Sequence, residues 1–130
     1  MAAKTFEELE IWQRGIYIVE KIYSLIAKSK LKSDFALADQ IKRASISISS
    51  NIAEGFERNN NKDFRRFLTY SKGSAREVRS QLYIALSQNY IEMDEYDLFY
   101  NDLINISKQL KGFIIYLAKW DDQNKDDKKK

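Results

Sequence analysis

The chain has 130 residues, of which 44% are hydrophobic and 32% charged, and its formal net charge is +3. This length suits one domain that buries its own core, and no apolar run approaches the roughly 20 residues that span a bilayer. Cysteine is absent, which excludes a disulfide framework, and the initial MAAKTFEELE lacks the apolar segment of a signal peptide. We therefore expect one cytoplasmic domain without membrane contact.

The first predicted helix covers residues 5–29. Proline is absent and only four glycines occur, so few residues interrupt helices. Apolar residues recur here at alternating steps of three and four, which is typical of one packed helix face. They are Leu9, Trp12, Ile16, Val19, Tyr23 and Ile26. Thr5 and Glu8 have the capping-box spacing and are predicted to start the helix.

The stretch SISISSNIAEGF, residues 45–56, alternates serine and isoleucine as a β-strand would. The alternation fails at Ser50, which would fall on the apolar face of a strand. A helix instead aligns Leu37, Ile41, Ala44, Ile48 and Ile52. We therefore predict a helix, with Asp34 as its N-cap and Gly55 just beyond its end. The small residues at 45, 49 and 53 are predicted to let another helix approach closely.

Two further helices follow the turn-forming ERNNN of residues 57–61. The apolar face of the third consists of Phe64, Phe67, Ser71, Val78, Leu82 and Ala85. The apolar face of the fourth consists of Phe99, Leu103, Ile106, Leu110, Phe113, Leu117 and Trp120. Asp94 is the predicted N-cap of the fourth helix, and Asp97 lies in its first turn.

Four amphipathic helices joined by short loops predict an all-α fold, an antiparallel up-down-up-down four-helix bundle. The loops are expected near residues 30–34, 56–61 and 89–94. We assign the bundle to residues 1–120. The remaining segment 121–130, DDQNKDDKKK, offers no apolar position to bury and is predicted to be a disordered charged tail.

Helix one carries a second apolar stripe, about 100° around from the first. It consists of Ile11, Ile18, Ile22 and Leu25. Large contiguous apolar patches rarely stay exposed, so we predict that this stripe, with the outward-pointing Ile46 of helix two, forms a subunit interface. The alternative is a wide core face, in which Ile18 and Ile22 flank the core.

The basic surplus of the chain is concentrated around helix three. Residues 56–90 carry seven basic and three acidic side chains, whereas residues 91–130 carry seven and nine. At 100° per residue, one strip of this helix presents Arg65, Thr69, Lys72, Arg76, Arg79 and Tyr83. Arg58 and Lys62 could extend the strip at its start.

A line of cations that ends in an aromatic ring suits binding to a phosphate backbone, particularly that of RNA. The strip therefore predicts a nucleic-acid interface. The alternative is a solvated helix face, paired with acidic residues of helix four such as Asp97 or Asp102.

Residues for enzyme chemistry are scarce in this chain. Histidine and cysteine are absent, and with them the usual near-neutral base, thiol nucleophile and soft metal ligands. The glycines at positions 15, 55, 73 and 112 are isolated, so none belongs to a phosphate-binding loop. We expect no enzymatic activity, no cofactor and no metal.

Polar residues lie near the apolar faces of helices two and three. They are Gln40 and Asn51 on the second helix, and Ser74 and Glu77 on the third. We interpret them as a hydrogen-bonded network that fixes the register of the helices, with a ligand site as the alternative. Gly73 is predicted to mark a place where another helix passes close by.

Three segments carry a resemblance to a known family. They are FEELEIWQRG (6–15), LADQIKRASISISSNIAEGFERNNNKDFRRFL (37–68) and SKGSAREVRSQLYIALSQNYI (71–91). Over residues 6–118 the chain resembles the bacterial four-helix-bundle family of 23S rRNA intervening-sequence proteins. The resemblance implies a ring-like homopentamer of antiparallel bundles. It also implies kinship with the accessory protein of diversity-generating retroelements, whose basic pentamer engages nucleic acid and a reverse transcriptase.

The resemblance also implies a signature that we interpret as structural rather than catalytic. Its positions are Asn51, Ala53, Glu54, Gly55, Gly73, Ser74 and Glu77. The implied partners are further copies of the chain, RNA or DNA, and a reverse transcriptase or a ribosomal component. We therefore expect a non-enzymatic homo-oligomer that binds nucleic acid through phosphates with little sequence preference. The alternative is an oligomeric protein-binding scaffold without nucleic-acid contact.

Overall fold

Helices make up nearly all of the chain that the computed structural model describes, residues 3–123. The α-helices in this range are α1 (Glu10–Lys28), α2 (Phe35–Glu57), α3 (Asn61–Ser87) and α4 (Met93–Gln123), and short 3₁₀ helices lie at Phe6–Glu8 and Lys30–Ser33. The described residues contain no strand. The all-α prediction is confirmed, and residues 45–56 are helical.

Polar caps explain where two of the helices begin. Asp34 is the N-cap of α2, as predicted, and its Oδ1 accepts a hydrogen bond from the backbone N–H of Leu37 at 3.2 Å. Asn60 caps α3 in the same way, accepting from the N–H of Asp63 at 2.8 Å. The predicted capping box at Thr5 is wrong, because Thr5 makes no side-chain cap bond and precedes the first 3₁₀ helix.

Two other predicted helix ends need correction. Asp94 is not the N-cap of α4, because that helix begins at Met93 and Asp94 lies in its first turn. Gly55 does not end α2, which continues to Glu57. The left-handed residue after this helix is Asn59, with φ of 61°.

Successive helices run antiparallel around a closed bundle. Each α-helix packs against its neighbours in sequence, and α1 also packs against α4. Near the α2–α3 turn, Gly55 of α2 lies against Phe67 of α3. Asn61, at the start of α3, donates a hydrogen bond to Asp121 near the end of α4 at 3.0 Å. The predicted up-down-up-down order is confirmed.

Small residues of α2 admit α1, as the sequence predicted. Ser45 and Ser49 are buried, and their hydroxyls donate to backbone carbonyls three residues earlier in α2. A Cβ on Gly15 of α1 would lie 3.2 Å from the Cβ of Ser49, so the two helices are in close contact there. The predicted close approach at Gly73 is wrong, because only the far end of the Arg76 side chain comes within 4 Å of a Cβ at that position.

The stripe of α1 that the sequence assigned to a subunit interface faces the core. Ile11, Ile18, Ile22 and Leu25 are at most 7% exposed within the single chain. Burial in their own bundle leaves them unavailable to a partner, so this interface assignment is wrong. They pack instead in a core shared with α2, α3 and α4.

The stripe predicted to be the core face of α1 lies partly outside. Trp12, Ile16 and Val19 are half-buried and Tyr23 is 44% exposed, although Leu9 and Ile26 at the two ends are buried. α2 packs on the side of α1 that carries Gly15, which lies between the two stripes.

The apolar faces of α3 and α4 lie inside, as predicted, over most of their length. Trp120 is the exception near the end of α4, where it is 44% exposed. The helix continues to Gln123, so residues 121–123 belong to α4 rather than to a tail, and the rest of the predicted tail lies outside the described residues. Among the described helices, none is both long enough and apolar enough to cross a bilayer.

The contact at Gly55 allows a test of how closely α2 and α3 pack. A Cβ there would lie 2.8 Å from the Cβ of Phe67 and 3.0 Å from Cδ1 of Phe64. We expect Gly55→Ala to lower the free energy of unfolding by about 1–3 kcal/mol, because overpacking outweighs the helix propensity that alanine adds. Urea denaturation followed by circular dichroism measures the change.

Gly112→Ala is the matched control, because nothing lies within 4 Å of a Cβ at this exposed position of α4. We expect this variant to raise the free energy of unfolding by about 0.5–1 kcal/mol. Equal stabilisation by Gly55→Ala would contradict the close packing of α2 on α3.

Candidate nucleic-acid interface

The cations that the sequence places on one strip of α3 lie on the side next to α4 at both ends of the strip. We call it the basic strip; it consists of Arg65, Lys72, Arg76 and Arg79. At one end Nη2 of Arg65 lies 3.4 Å from Oδ2 of Asp121 in α4. At the other end the guanidinium carbon of Arg79 lies 5.6 Å from the ring centre of Tyr100 in α4. The strip is about 21 Å long at 1.5 Å per residue.

Most cations of the basic strip are not paired with a carboxylate of residues 3–123. The pair between Arg65 and Asp121 is its one salt bridge to a carboxylate in residues 3–123. Asp97 and Asp102, the predicted alternative partners, form no salt bridge within the same range. Asp102 lines a groove between α1 and α4 together with Lys21, away from the strip. The alternative of a face paired with acidic residues of helix four therefore holds for Arg65, through Asp121, and not for Asp97 or Asp102.

Three tyrosines meet at the Arg79 end of the basic strip. The ring centres of Tyr83 and Tyr96 are 5.9 Å apart in an edge-to-face arrangement, and those of Tyr96 and Tyr100 are 6.1 Å apart. Burial raises the pKa of Tyr96, nearby tyrosines add to the rise, and the charge of Arg79 opposes it. The ring is therefore neutral at physiological pH. Periodicity does not single out Tyr96 and Tyr100, because their contact with α3 depends on packing.

Arg58 does not extend the basic strip. Its guanidinium carbon lies 5.0 Å from the ring centre of Phe67, and its Nη2 lies 2.8 Å from Oε1 of Glu54. Phe67 packs towards α2, so Arg58 lies on the other side of α3 from the strip. Arg66 covers the same ring at 5.1 Å. Lys62 is exposed in the first turn of α3 and remains a candidate extension.

Apolar side chains cluster on the opposite side of the bundle. We call this surface the outer apolar face; it consists of Trp12, Ile16, Val19 and Tyr23 of α1 and Phe35 and Ile46 of α2. Nζ of Lys42 lies 5.0 Å from the ring centre of Tyr23, and Ile46 follows Lys42 by one turn of α2. Phe35 is 82% exposed and borders a groove of about 710 Å³ with Tyr23. Of the predicted interface residues, Ile46 lies on this face and the others lie in the core.

Hydrogen bonds between polar side chains join α2 to α3. Nδ2 of Asn51 donates to the backbone oxygen and to Oγ of Ser47, at 2.8 and 3.0 Å. The hydroxyl of Ser74 donates to the same Oγ at 3.1 Å. Ser71 is buried and donates to the backbone oxygen of Ile48 at 2.7 Å. The bonds of Ser71 and Ser74 set the register of the two helices, and those of Asn51 lie within α2 and hold Ser47 in place. Both kinds support the structural interpretation of Asn51 and Ser74.

The remaining polar positions of the predicted signature face the surface. Glu77 accepts a hydrogen bond from Gln81 at 3.2 Å within α3, and it borders a groove of about 220 Å³ with Gln40. Glu54 is held by the surface salt bridge to Arg58. Within residues 3–123 no group of three or more potential ligands is placed to hold a metal ion.

Sequence comparison relates this arrangement to a known family. A family model described as "23S rRNA-intervening sequence protein" matches residues 7–112, which covers α1, α2, α3 and most of α4. The chain belongs to this family. The resemblance seen in the sequence is thereby confirmed. No curated protein matches this family member.

A solved structure shares the fold of this 23S rRNA-intervening sequence family member. It is a crystal structure of a protein with unknown function from the S23 ribosomal protein family of Bacteroides thetaiotaomicron. The two chains are 24% identical, with a TM-score of 0.73, and the match covers 80% of this chain and 97% of that chain. At this identity the likeness shows the helical fold alone.

The hydrogen bonds at Ser47 test whether this polar cluster of the family member is structural. We expect Ser47→Ala to lower the free energy of unfolding by about 1–2 kcal/mol, because it removes partners from Asn51 and Ser74. The double variant Ser47→Ala with Ser74→Ala should lose less free energy of unfolding than the two single variants lose together, since the two serines share one hydrogen bond. Urea denaturation measures these values.

Ser50→Ala is the control on the exposed side of α2, and we expect it to change stability by less than about 0.5 kcal/mol. A Ser47→Ala protein with unchanged stability would show that the cluster does not stabilise the fold.

Proposed function

We propose that this family member is a non-enzymatic, homo-oligomeric helical bundle that binds RNA or DNA through the phosphate backbone. The observation that carries the proposal is the basic strip, which places four cations along about 21 Å of α3. Within residues 3–123 only one of the four, Arg65, forms a salt bridge with a carboxylate. Counterion release makes such binding favourable whatever the base sequence. We therefore propose little sequence preference.

The surroundings of the strip support a single-stranded ligand over a duplex. Tyr83 is 59% exposed and Tyr100 is 41% exposed, directly beside Arg79. Unpaired bases stack on such rings, whereas the bases of a duplex are stacked on one another. The matching family is named for intervening sequences of ribosomal RNA, which supports RNA as the ligand. We propose that the protein acts in the cytoplasm, where ribosomal RNA is found.

The absence of enzymatic activity is part of the proposal. The chain contains neither histidine nor cysteine, so acid–base or nucleophilic catalysis would depend on other groups. The description of the family names no reaction. Electrostatic binding of phosphates accounts for the cations of the basic strip and requires no catalysed reaction.

We propose that copies of the chain meet through the outer apolar face. Tyr23 and Phe35 border one groove of this face, and large exposed apolar patches mark interaction sites. The face belongs to α1 and α2, whereas the basic strip lies between α3 and α4, so assembly through the first leaves the second open. A ring of five copies is the assembly that the family resemblance implies.

A protein-binding scaffold without nucleic-acid contact is the second candidate function. Phe35 favours it, because this ring is 82% exposed beside a groove that an apolar side chain of a partner would fill. A reverse transcriptase or a ribosomal protein would be such a partner. Binding in an apolar groove depends little on salt, whereas phosphate binding weakens steeply as salt rises.

The salt dependence of binding tests the proposed function. With a labelled single-stranded RNA, we expect log K to fall with log salt at a slope of about −3, since four phosphates contribute about −0.7 each. Replacing the four cations of the basic strip together by glutamine should reduce the affinity at least tenfold and flatten the slope. Fluorescence anisotropy at several salt concentrations measures both quantities.

A charge-matched control separates the strip from overall charge. Replacing Lys28, Lys30, Lys32 and Arg43 by glutamine removes four exposed cations from other surfaces and likewise lowers the net charge from +3 to −1. We expect this variant to keep the slope and most of the affinity. If both variants bind RNA as the wild type does, the basic strip is not the binding site.

The outer apolar face predicts an effect on assembly. We expect Phe35→Glu with Ile46→Glu to yield monomers that keep their helical content, because both side chains are exposed in the single chain and would be buried between copies. Ile115→Glu is the control, since Ile115 is 44% exposed on α4. Analytical ultracentrifugation measures the mass. A monomeric wild type, or an unchanged assembly in the double variant, would contradict this interface.

A further inference from the structure

A pocket of about 380 Å³ opens at the end of the bundle where α2 turns into α3 and α4 ends. The turn residues Asn59, Asn60 and Asn61 line one side, and Tyr116 and Trp120 of α4 line the other. The volume is within the range of small-molecule sites. Neither the polar network between α2 and α3 nor the outer apolar face includes these residues.

The turn side of the pocket offers amide groups that can pair with a ligand. Asn59 makes no side-chain hydrogen bond to the rest of residues 3–123, and its left-handed backbone, with φ of 61°, holds it at the tip of the turn. Asn61 uses Nδ2 to reach Asp121 at 3.0 Å, which leaves its Oδ1 as an acceptor. Asn60 is committed to capping α3. A side-chain amide both donates and accepts, as the edge of a nucleobase does.

The α4 side of the pocket offers aromatic surface. Tyr116 is 51% exposed and Trp120 is 44% exposed, so each ring has an accessible part and a packed part. Tyr116 is supported by an edge-to-face contact with Phe113, with ring centres 6.1 Å apart. Aromatic rings next to amide groups are the combination that binds unpaired bases by stacking and hydrogen bonding.

Asp121 connects the pocket to the basic strip. It lines the pocket, accepts the hydrogen bond from Asn61, and pairs through its other oxygen with Nη2 of Arg65 at 3.4 Å. Nε of Arg65 is buried and has no hydrogen-bond partner within the described residues. Arg65 is the first cation of the strip, so a backbone that follows the strip reaches the pocket at this end.

We propose that this pocket holds one unpaired nucleobase of a single-stranded nucleic acid whose phosphates lie along the basic strip. The inference rests on the proposed function, which already favours a single strand, and adds to it the site that holds one free base. The base stacks against Trp120 and pairs with the amides of Asn59 and Asn61. A duplex keeps its bases paired and uses the strip alone.

The fluorescence of Trp120 can report whether a base occupies the pocket. The chain has two tryptophans, so Trp12→Phe leaves Trp120 as the only indole that emits. We expect a single-stranded RNA 12-mer to quench this emission, because a base stacks on the ring. An abasic oligonucleotide of the same length and charge should bind at low salt without quenching. Equal quenching by both, or binding of the 12-mer without quenching, would overturn the inference.

Affinity measurements separate this inference from the proposed function. We expect Trp120→Leu to weaken binding of the single-stranded 12-mer about tenfold and to leave binding of the paired duplex unchanged. Tyr17→Leu is the matched control, because Tyr17 is 49% exposed on α1, outside the pocket, and should change neither affinity. Circular dichroism confirms that each variant folds.

The glutamine variant of the basic strip should lose affinity for both ligands. If that variant loses both while Trp120→Leu behaves as the wild type does, the pocket inference fails and the proposed function stands. If the strip variant keeps its affinity for both ligands, the proposed function fails, and the inference fails with it.

Discussion

The close contact between Gly15 of α1 and Ser49 of α2 sets how near these two helices lie and which side of α1 faces α2. A Cβ on Gly15 would come within 3.2 Å of Ser49, so α1 can approach only with its glycine side turned to α2. α1 has two apolar stripes about 100° apart, Gly15 lies between them, and the packed bundle buries the stripe that contains Ile18 and Ile22. The remaining stripe becomes part of the outer apolar face.

The order of the helices around the bundle then separates the two candidate surfaces. The outer apolar face belongs to α1 and α2, and the basic strip lies where α3 meets α4. Copies that associate through the first surface would present several basic strips to one nucleic acid. Linked weak sites bind more tightly than one of them alone, since the second contact becomes intramolecular. Assembly and nucleic-acid binding are therefore compatible, and the first would strengthen the second.

Side chains of α4 contact the cations at the two ends of the basic strip. Arg79 lies over the ring of Tyr100, and Arg65 is paired with Asp121. Both contacts are partly buried, and they orient the two guanidinium groups along α3. A phosphate can compete for both groups. The same aspartate borders the end pocket, which places charged and aromatic recognition next to each other.

The sequence by itself determined the helices, the helical state of residues 45–56, the cap at Asp34 and the position of the basic strip on α3. These features depend on residues within a few turns of one another, which periodicity and capping describe. Only the tertiary structure decided which stripe of α1 is buried and that Arg58 lies on Phe67. It also decided that Tyr96 and Tyr100 join the strip and that a pocket forms between the α2–α3 turn and α4. Each of these needs side chains from different helices, and a helical repeat specifies a face without specifying what packs against it.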